Sequence, residues 1–425
     1  ARPLYYCWWE GVVLFSSMPK SFFGFNGDVN GVDELRFSRE LCYVPDNSER
    51  SFFEGIHRVV PGRGIIFSAL GTSSHDYSEL RVPALLSLKS HDEYVEYMGE
   101  ALDTAVKRRL RSSAYIGCEL SSGLDSGVVL ALAARCHSSL QGKIKAFTAV
   151  PGSRDALSVP KGTFADESAG AAVVASRFDN VEHEILEAPT RLIENLESLT
   201  QLLDQPIPNL CNISWMIRVL ARARETGVGV LLRGRLGNLT FSHGGQKHLP
   251  GLIGRGRYVR WLIGLYRLRK LYPTPKLRNL ARYAGLSELL PFGSKGHARK
   301  SLDDLATYCA ARGDVMQQLI VEGEAHRFES RSIQPEQGSA EERLSTILGF
   351  DSSHYSMVAN HFGLSIADPT ADSDVIMASL AIPESVYWWC GRTRGIARPL
   401  YTRLIGIRSD SDPLRRGLQG ADWFK

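Results

Sequence analysis

Long apolar runs are missing from this chain. No stretch of its 425 residues offers the ~20 consecutive apolar positions that a membrane-spanning helix requires. No secretory signal segment is evident either, because Ala1-Arg2-Pro3 leads straight into strand-like sequence. Cysteine is sparse: Cys7, Cys42, Cys118, Cys136, Cys211, Cys309 and Cys390 stand far apart with no close pair. That spacing argues against a zinc site and a disulfide framework, and predicts reduced thiols in a cytoplasmic protein. A strong excess of one charge is absent as well; a net charge of +4 argues neither for nor against nucleic acid. What remains is ordinary globular composition, 44% hydrophobic and 23% charged, with length for two or three domains.

The rest of the chain is organised around residues 114–126. Tyr115, Ile116, Cys118 and Leu120 read as a buried strand, and Val128 to Arg135 as a helix. Between them lies Ser121-Ser122-Gly123-Leu124-Asp125-Ser126. A strand–turn–helix of this kind aims backbone N–H groups and the positive end of a helix at one point, which suits a phosphate. Ser121, Ser122 and Ser126 add hydroxyl donors. Asp125 repels phosphate, so its presence makes sense with Mg²⁺ in between. The plain alternative is a Ser/Gly turn that caps a helix, with Asp125 favouring the macrodipole. The motif alone leaves both open.

Before this stretch, residues 4–15 read as a β-hairpin and 64–67 as a further strand, with turns at 45–47 and at Pro61-Gly62. This small, mainly β unit over 1–75 begins abruptly, as if inside a domain. Residues 71–88 read as a linker and 92–110 as a helix, which opens a second unit over 76–425. Beyond the loop, strands are expected at 144–150, 182–186 and 229–232, and helices at 167–177, 190–203 and 213–224. This alternation predicts an α/β fold: a parallel sheet with helices on both faces and ligands at the carboxyl ends of its strands.

Several later stretches carry chemistry. Asp166-Glu167 either cap the next helix or meet a ligand. Residues 230–242 form a second strand that breaks into a glycine turn containing Gly234, Gly237 and Asn238. Arg233 and Arg235 beside it either stabilise phosphate charge or face solvent. Residues 251–292 are basic and amphipathic: a core-packed helix with a solvated face, a docking surface for a peptide or protein, or a membrane-surface segment. No nucleic-acid-binding module accompanies those charges. Residues 301–329 read as helical and 330–340 as a connector or lid. No general base is evident; His354, Tyr355 and His361 are candidates.

Ser121 to Ser126 resembles the Ser-Gly-Gly-x-Asp-Ser pyrophosphate loop of the asparagine-synthetase superfamily of ATP pyrophosphatases, with Ser122 at a usual Gly and Gly127 at a usual Ser. The resemblance implies the adenine-nucleotide-hydrolase-like α/β fold, ATP and Mg²⁺. It places Leu120 and Ala149 against adenine, and Ser121, Ser122, Gly123, Leu124, Asp125, Ser126, Gly234, Arg235 and Gly237 around the nucleotide. The family's second loop reads Ser-Gly-x-Gly-x-Asp-Glu; here Asn238 and Leu239 replace the acidic pair, leaving Asp125 and Asn238 as the implied metal ligands. The form Gly-Asn-Leu-Thr-Phe-Ser is similar instead to the lasso peptide cyclases, as is the ending from Arg394 to Trp423.

Residues 2–17 and 53–62 are similar to part of a glutaminase-like β domain, without its cysteine nucleophile. The segment 363–372 resembles the family's Gly-(Ile/Leu)-Glu-Val-Arg-x-Pro-x-x-Asp, with Ser365 and Ala367 in place of Glu and Arg. Helical sequence over about 244–350 exceeds the corresponding region of asparagine synthetases. By resemblance, Asp125, Asn238, Asp372 and Arg416 are the catalytic set, with Arg416 in the role of the family's lysine and Asp372 either orienting a group or capping a helix. The implied partners are a precursor peptide, a leader peptidase and a leader-binding protein.

Overall fold

The computed structural model describes residues 3–25, 31–41, 48–78, 80–137, 142–152, 163–187, 196–203, 205–206, 210–245, 247–271, 340–349, 353–408 and 416–417. The first elements are β1 (Tyr5–Trp9), β2 (Val12–Ser16), α1 (Glu34–Leu41), β3 (His57–Arg58), β4 (Arg63–Ser68) and β5 (Gly71–Asp76). Then come α2 (His91–Arg109), β6 (Tyr115–Glu119), α3 (Leu124–Cys136), β7 (Ile144–Val150), β8 (Thr163–Phe164), α4 (Ser168–Ala175) and β9 (Val181–Glu187). Next are α5 (Leu196–Leu203), α6 (Leu210–Glu225), β10 (Val228–Leu232), α7 (His248–Gly254) and α8 (Tyr258–Leu271). The last are α9 (Ala340–Leu348), α10 (Ser353–His361), β11 (Ser365–Ala367), α11 (Ser373–Ala381), α12 (Glu384–Tyr387), α13 (Ala397–Ile405) and β12 (Arg416–Gly417).

Five strands form one parallel sheet in the order β11-β10-β6-β7-β9. Its residues alternate between two cores, as a sheet covered on both faces requires. Ile116, Cys118, Ile144 and Ala146 face α2, α3 and α13. Phe147, Leu186, Val228 and Leu231 face α6 and α10. Each large apolar side chain sealed this way contributes roughly 1.5–3 kcal/mol. Gly117 sits between the central strands with no room for a side chain, since a Cβ there would lie 2.9 Å from Leu231 and Val228.

α2 delivers the chain to β6. Ser90 Oγ accepts from the Glu93 N–H and the Glu93 carboxylate accepts from the Lys89 N–H, so the helix start is held from both sides. Lys107, Arg108 and Arg109 close its last turn, where the macrodipole favours cations. Between these ends Val95, Met98, Leu102 and Val106 are fully buried at helical spacing.

The N-terminal residues form an antiparallel sheet, β2-β1-β3, and a separate two-stranded ribbon, β4-β5. Tyr5, Cys7, Phe22 and Ile56 join the core beneath α6, so this unit packs on the parallel-sheet domain. Residues 71–76 are a strand and not a linker: β5 pairs along its whole length with β4. All six of its residues are exposed, so no alternating apolar pattern marked it. Within the stretch 53–62, β3 is the strand, and it pairs with Tyr5 and Tyr6. The stretch 244–350 contributes α7, α8 and α9; the expected helix at 301–329 and the connector expected at 330–340 lie outside the described residues, save Ala340, which opens α9. No helix among the described residues is long and apolar enough to cross a membrane.

Candidate active site

The first loop leaves the carboxyl end of β6 and is closed by its own side chains. The Leu120 N–H donates to the Phe147 carbonyl and the Leu120 carbonyl accepts from the Thr148 hydroxyl, each at 2.8 Å. The Ser121 N–H donates to Ser126 Oγ at 3.1 Å, the Ser121 and Ser126 hydroxyls are 2.8 Å apart, and the Gly123 N–H donates to Ser121 Oγ at 3.1 Å. The hydroxyls of Ser121 and Ser126 therefore shape the turn. α3 begins at Leu124, four residues earlier than expected, with Gly123 as an N-cap that offers no side-chain acceptor. Asp125 and Ser126 thus lie in its first turn, at its positive end.

Glu167 reaches this loop from the next βα unit. Its carboxylate accepts from the Ser122 N–H and the Ser121 hydroxyl, and burial pushes its pKa above the usual carboxylate range. Asp166, not Glu167, caps α4, accepting from the Ser168 N–H at 2.8 Å. The contact depends on Gly170, where a Cβ would lie 2.6 Å from Ser122 Cβ. A serine at 122 is accommodated because α4 presents a glycine to it.

The second loop leaves β10 beside the first. The register pairs Leu232 with Cys118, so Arg233 and Glu119 follow side by side. Arg233 is buried, with Nε 2.7 Å from Glu119 Oε2 and its guanidinium 5.0 Å from the centre of the Tyr355 ring. It neither faces solvent nor stands free for phosphate. Arg235 stacks on the same ring at 3.6 Å. Partial desolvation lowers the pKa of its guanidinium to about 10, although the residue as a whole is exposed, so it stays charged at neutral pH. The N–H groups of Arg235 and Leu236 both donate to Asp368 Oδ2, at 3.0 and 3.1 Å. Asp368 Oδ1 meanwhile holds the Thr370 N–H and hydroxyl. Burial raises the pKa of Tyr355, which removes it as a resting base.

The two loops meet at Asp125. A Cβ on Gly237 would lie 2.5 Å from Asp125 Cγ, and one on Gly234 would lie 3.0 Å from the Asp125 carbonyl. Only glycine permits this approach. Asn238 follows directly, with its Oδ1 buried and without a hydrogen-bond partner among the described residues. Among those residues no three His, Cys, Asp or Glu side chains cluster as a metal cage. The donors present fit a Mg²⁺ ion shared with phosphate oxygens: Asp125 and Asn238 supply oxygen, and such an ion keeps few protein ligands.

Other expected residues are placed elsewhere. Ala149 lies near the end of β7, one strand over from Leu120. Asp372 is an architectural residue: it caps α11 through the Asp374 N–H and takes Arg109 at 2.7 Å and Arg108 at 3.5 Å. Of the two roles expected for it, the cap is the one these contacts display. Arg416 belongs to β12, whose backbone pairs in parallel with β8. Beneath the second loop, buried His243 holds Glu384 at 2.9 Å, and sequence reasoning had singled out neither. Glu119 and Asp368 were also unassigned; a charged residue inside an apolar strand was the available signal for Glu119.

A parallel sheet with a Ser/Gly turn at its central strand end, opposed by a glycine loop across one carboxylate, defines an α/β domain of the ATP-pyrophosphatase type. Residues 98–405 match the family described as asparagine synthase, and the chain belongs to that family. Enzymes of that family use ATP, typically with Mg²⁺, to form carbon–nitrogen bonds. Over 263 residues the chain is also 26% identical to "Amidase chyE" of Penicillium rubens, covering 59% of this chain and 36% of that protein. The chain therefore spans about a third of the length of that curated relative.

Proposed function

We propose that this protein closes a macrolactam in a peptide precursor. A side-chain carboxylate of Asp or Glu attacks the α-phosphorus of ATP, and the bond to pyrophosphate breaks. The peptide's N-terminal amine then attacks the acyl carbon, loses a proton, and AMP leaves. The observation that carries this reading is the junction of the two loops: Asp125 wedged against Gly237, with the buried, unpartnered Asn238 Oδ1 beside it. A neutral Asn238 and an apolar Leu239 make Asp125 the single acidic residue contributed by the two loops.

Mg²⁺, when bound there, would offset charge on the departing pyrophosphate. The amides at the start of α3 and the Ser122 N–H are the donors aimed at that group, and Glu167 must yield the Ser122 N–H to it. Arg235, fixed on Tyr355, supplies a permanent cation at the rim of the second loop. Holding amine and activated carboxyl in one site replaces a bimolecular step, and exclusion of water protects the mixed anhydride. Arg416 is proposed as a second cation on its sequence position alone. A leader-binding protein and a leader peptidase are the proposed pathway partners, and the cytoplasm the proposed location.

A second reading is an amide ligase on a small molecule, favoured by the match to the asparagine synthase family. The two separate on substrate. Synthetic peptides with a free N-terminal amine and one internal Asp or Glu at varied positions are incubated with ATP and Mg²⁺. Loss of one water from a peptide, matched by one AMP, supports the macrolactam reading. AMP formation with free aspartate, and none with any peptide, overturns it in favour of the small-molecule ligase.

A further inference from the structure

α8 carries two apolar faces. One side, Trp261, Leu265 and Leu268, packs with Leu249 and Leu252 of α7 and with Trp388. The other carries Tyr258, Val259, Leu262, Ile263 and Tyr266, which are 47–72% exposed. At about 100° per residue these five fall within one arc of about 140°. Arg260 and Arg267 lie together along one margin of that arc, Arg269 and Lys270 close its C-terminal end, and Arg255 and Arg257 precede it. All six cations are exposed, and no Asp or Glu occurs from 247 to 271.

We propose that this face docks on an anionic lipid surface, independently of the ligase reading. A helix lying flat would bury the five apolar side chains at the acyl boundary, while arginines along its margin reach lipid phosphates. Charge complementarity selects the occupant: six cations without one acid match a surface of uniform negative charge. A protein face of mixed sign would leave several of them unmatched. Tyr258 and Tyr266 add the amphipathic rings that settle at headgroup level.

Co-sedimentation of the full chain tests this. Phosphatidylcholine–phosphatidylglycerol vesicles are expected to bind it at least about tenfold more tightly than pure phosphatidylcholine, with the difference falling at high salt. Two variants, Leu262→Ser/Tyr266→Ser and Arg267→Ala/Arg269→Ala/Lys270→Ala, are each expected to lose that binding while keeping the wild-type melting curve. Equal affinity for both vesicle types, no binding to either, or undiminished binding by both variants overturns the proposal. So does retention on immobilised polyglutamate with no retention on vesicles, which assigns the face to an acidic protein.

Discussion

The loop at Ser121–Ser126 holds its shape with its own hydroxyls and keeps its carboxylate. The loop at Gly234–Leu239 hangs from distant residues and has lost both acids of the related asparagine-synthetase pattern. In the first, Ser126 catches the Ser121 N–H and Ser121 catches the Gly123 N–H. In the second, Asp368 takes two consecutive backbone N–H groups, Glu119 takes Arg233, and the Tyr355 ring carries Arg235. A locally closed loop can only change residue by residue. A loop hung from tertiary contacts can be retuned by its supports, and the departures from the asparagine-synthetase pattern, Asn238 and Leu239, fall there.

The largest expected effect falls on the first loop. Asp125→Ala should lower ATP-dependent amide formation by on the order of 10³-fold, as loss of a group that organises transferring phosphates does. Single-turnover AMP release measures it, and near-wild-type turnover would move the acidic role to another residue. Next is the contact between the loops. Gly237→Ala should cost about 1–3 kcal/mol by urea denaturation, because its Cβ would press on Asp125 Cγ. Gly254→Ala meets no atom within 4 Å and serves as the control without a clash. Combining Gly237→Ala with Asp125→Ala should recover part of the loss; strict additivity would mean that the two positions do not touch.

The supports of the second loop come after. Asp368→Ala leaves three backbone N–H groups, of Arg235, Leu236 and Thr370, without their acceptor and should cost about 1–3 kcal/mol, whereas a matching substitution at an exposed acid should cost far less. Tyr355→Leu removes the ring under Arg235 and should cost about 0.5–1 kcal/mol, with KM for ATP rising more than kcat falls.

The smallest effect is one of pH. The folded-state pKa of Glu167 is raised by burial, so the folded protein holds a proton there that the unfolded chain releases. Its contribution to stability therefore declines as pH rises above the ordinary carboxylate range. Glu167→Gln should gain on the wild type from acid toward neutral pH, and should tighten pyrophosphate binding by removing a competing anion from the Ser122 N–H. A difference flat with pH would mean that Glu167 is not buried against the loop.

This contrast also explains what could be read without coordinates. The parallel sheet and the Ser121–Ser126 turn were legible, because strand period, helix period and turn chemistry are local. The pairing of Asp125 with the Gly234–Asn238 turn was implied by family pattern alone. The roles of Glu119, Asp368 and Glu167 were not legible, since each depends on a strand register or helix seat fixed by packing. Asp372 stayed open for a related reason: a carboxylate before a helix looks the same whether it serves a ligand or a cap and two arginines. β5 was hidden by exposure, because a ribbon wet on both faces needs no apolar alternation.

Isotope exchange between pyrophosphate and ATP tests the central claim most directly. With Mg²⁺ and a peptide carrying an internal Asp or Glu, label should pass from pyrophosphate into ATP, stop when the carboxylate is changed to the amide, and vanish in Asp125→Ala. No exchange with any carboxylate peptide, or exchange unchanged in Asp125→Ala, would contradict the account.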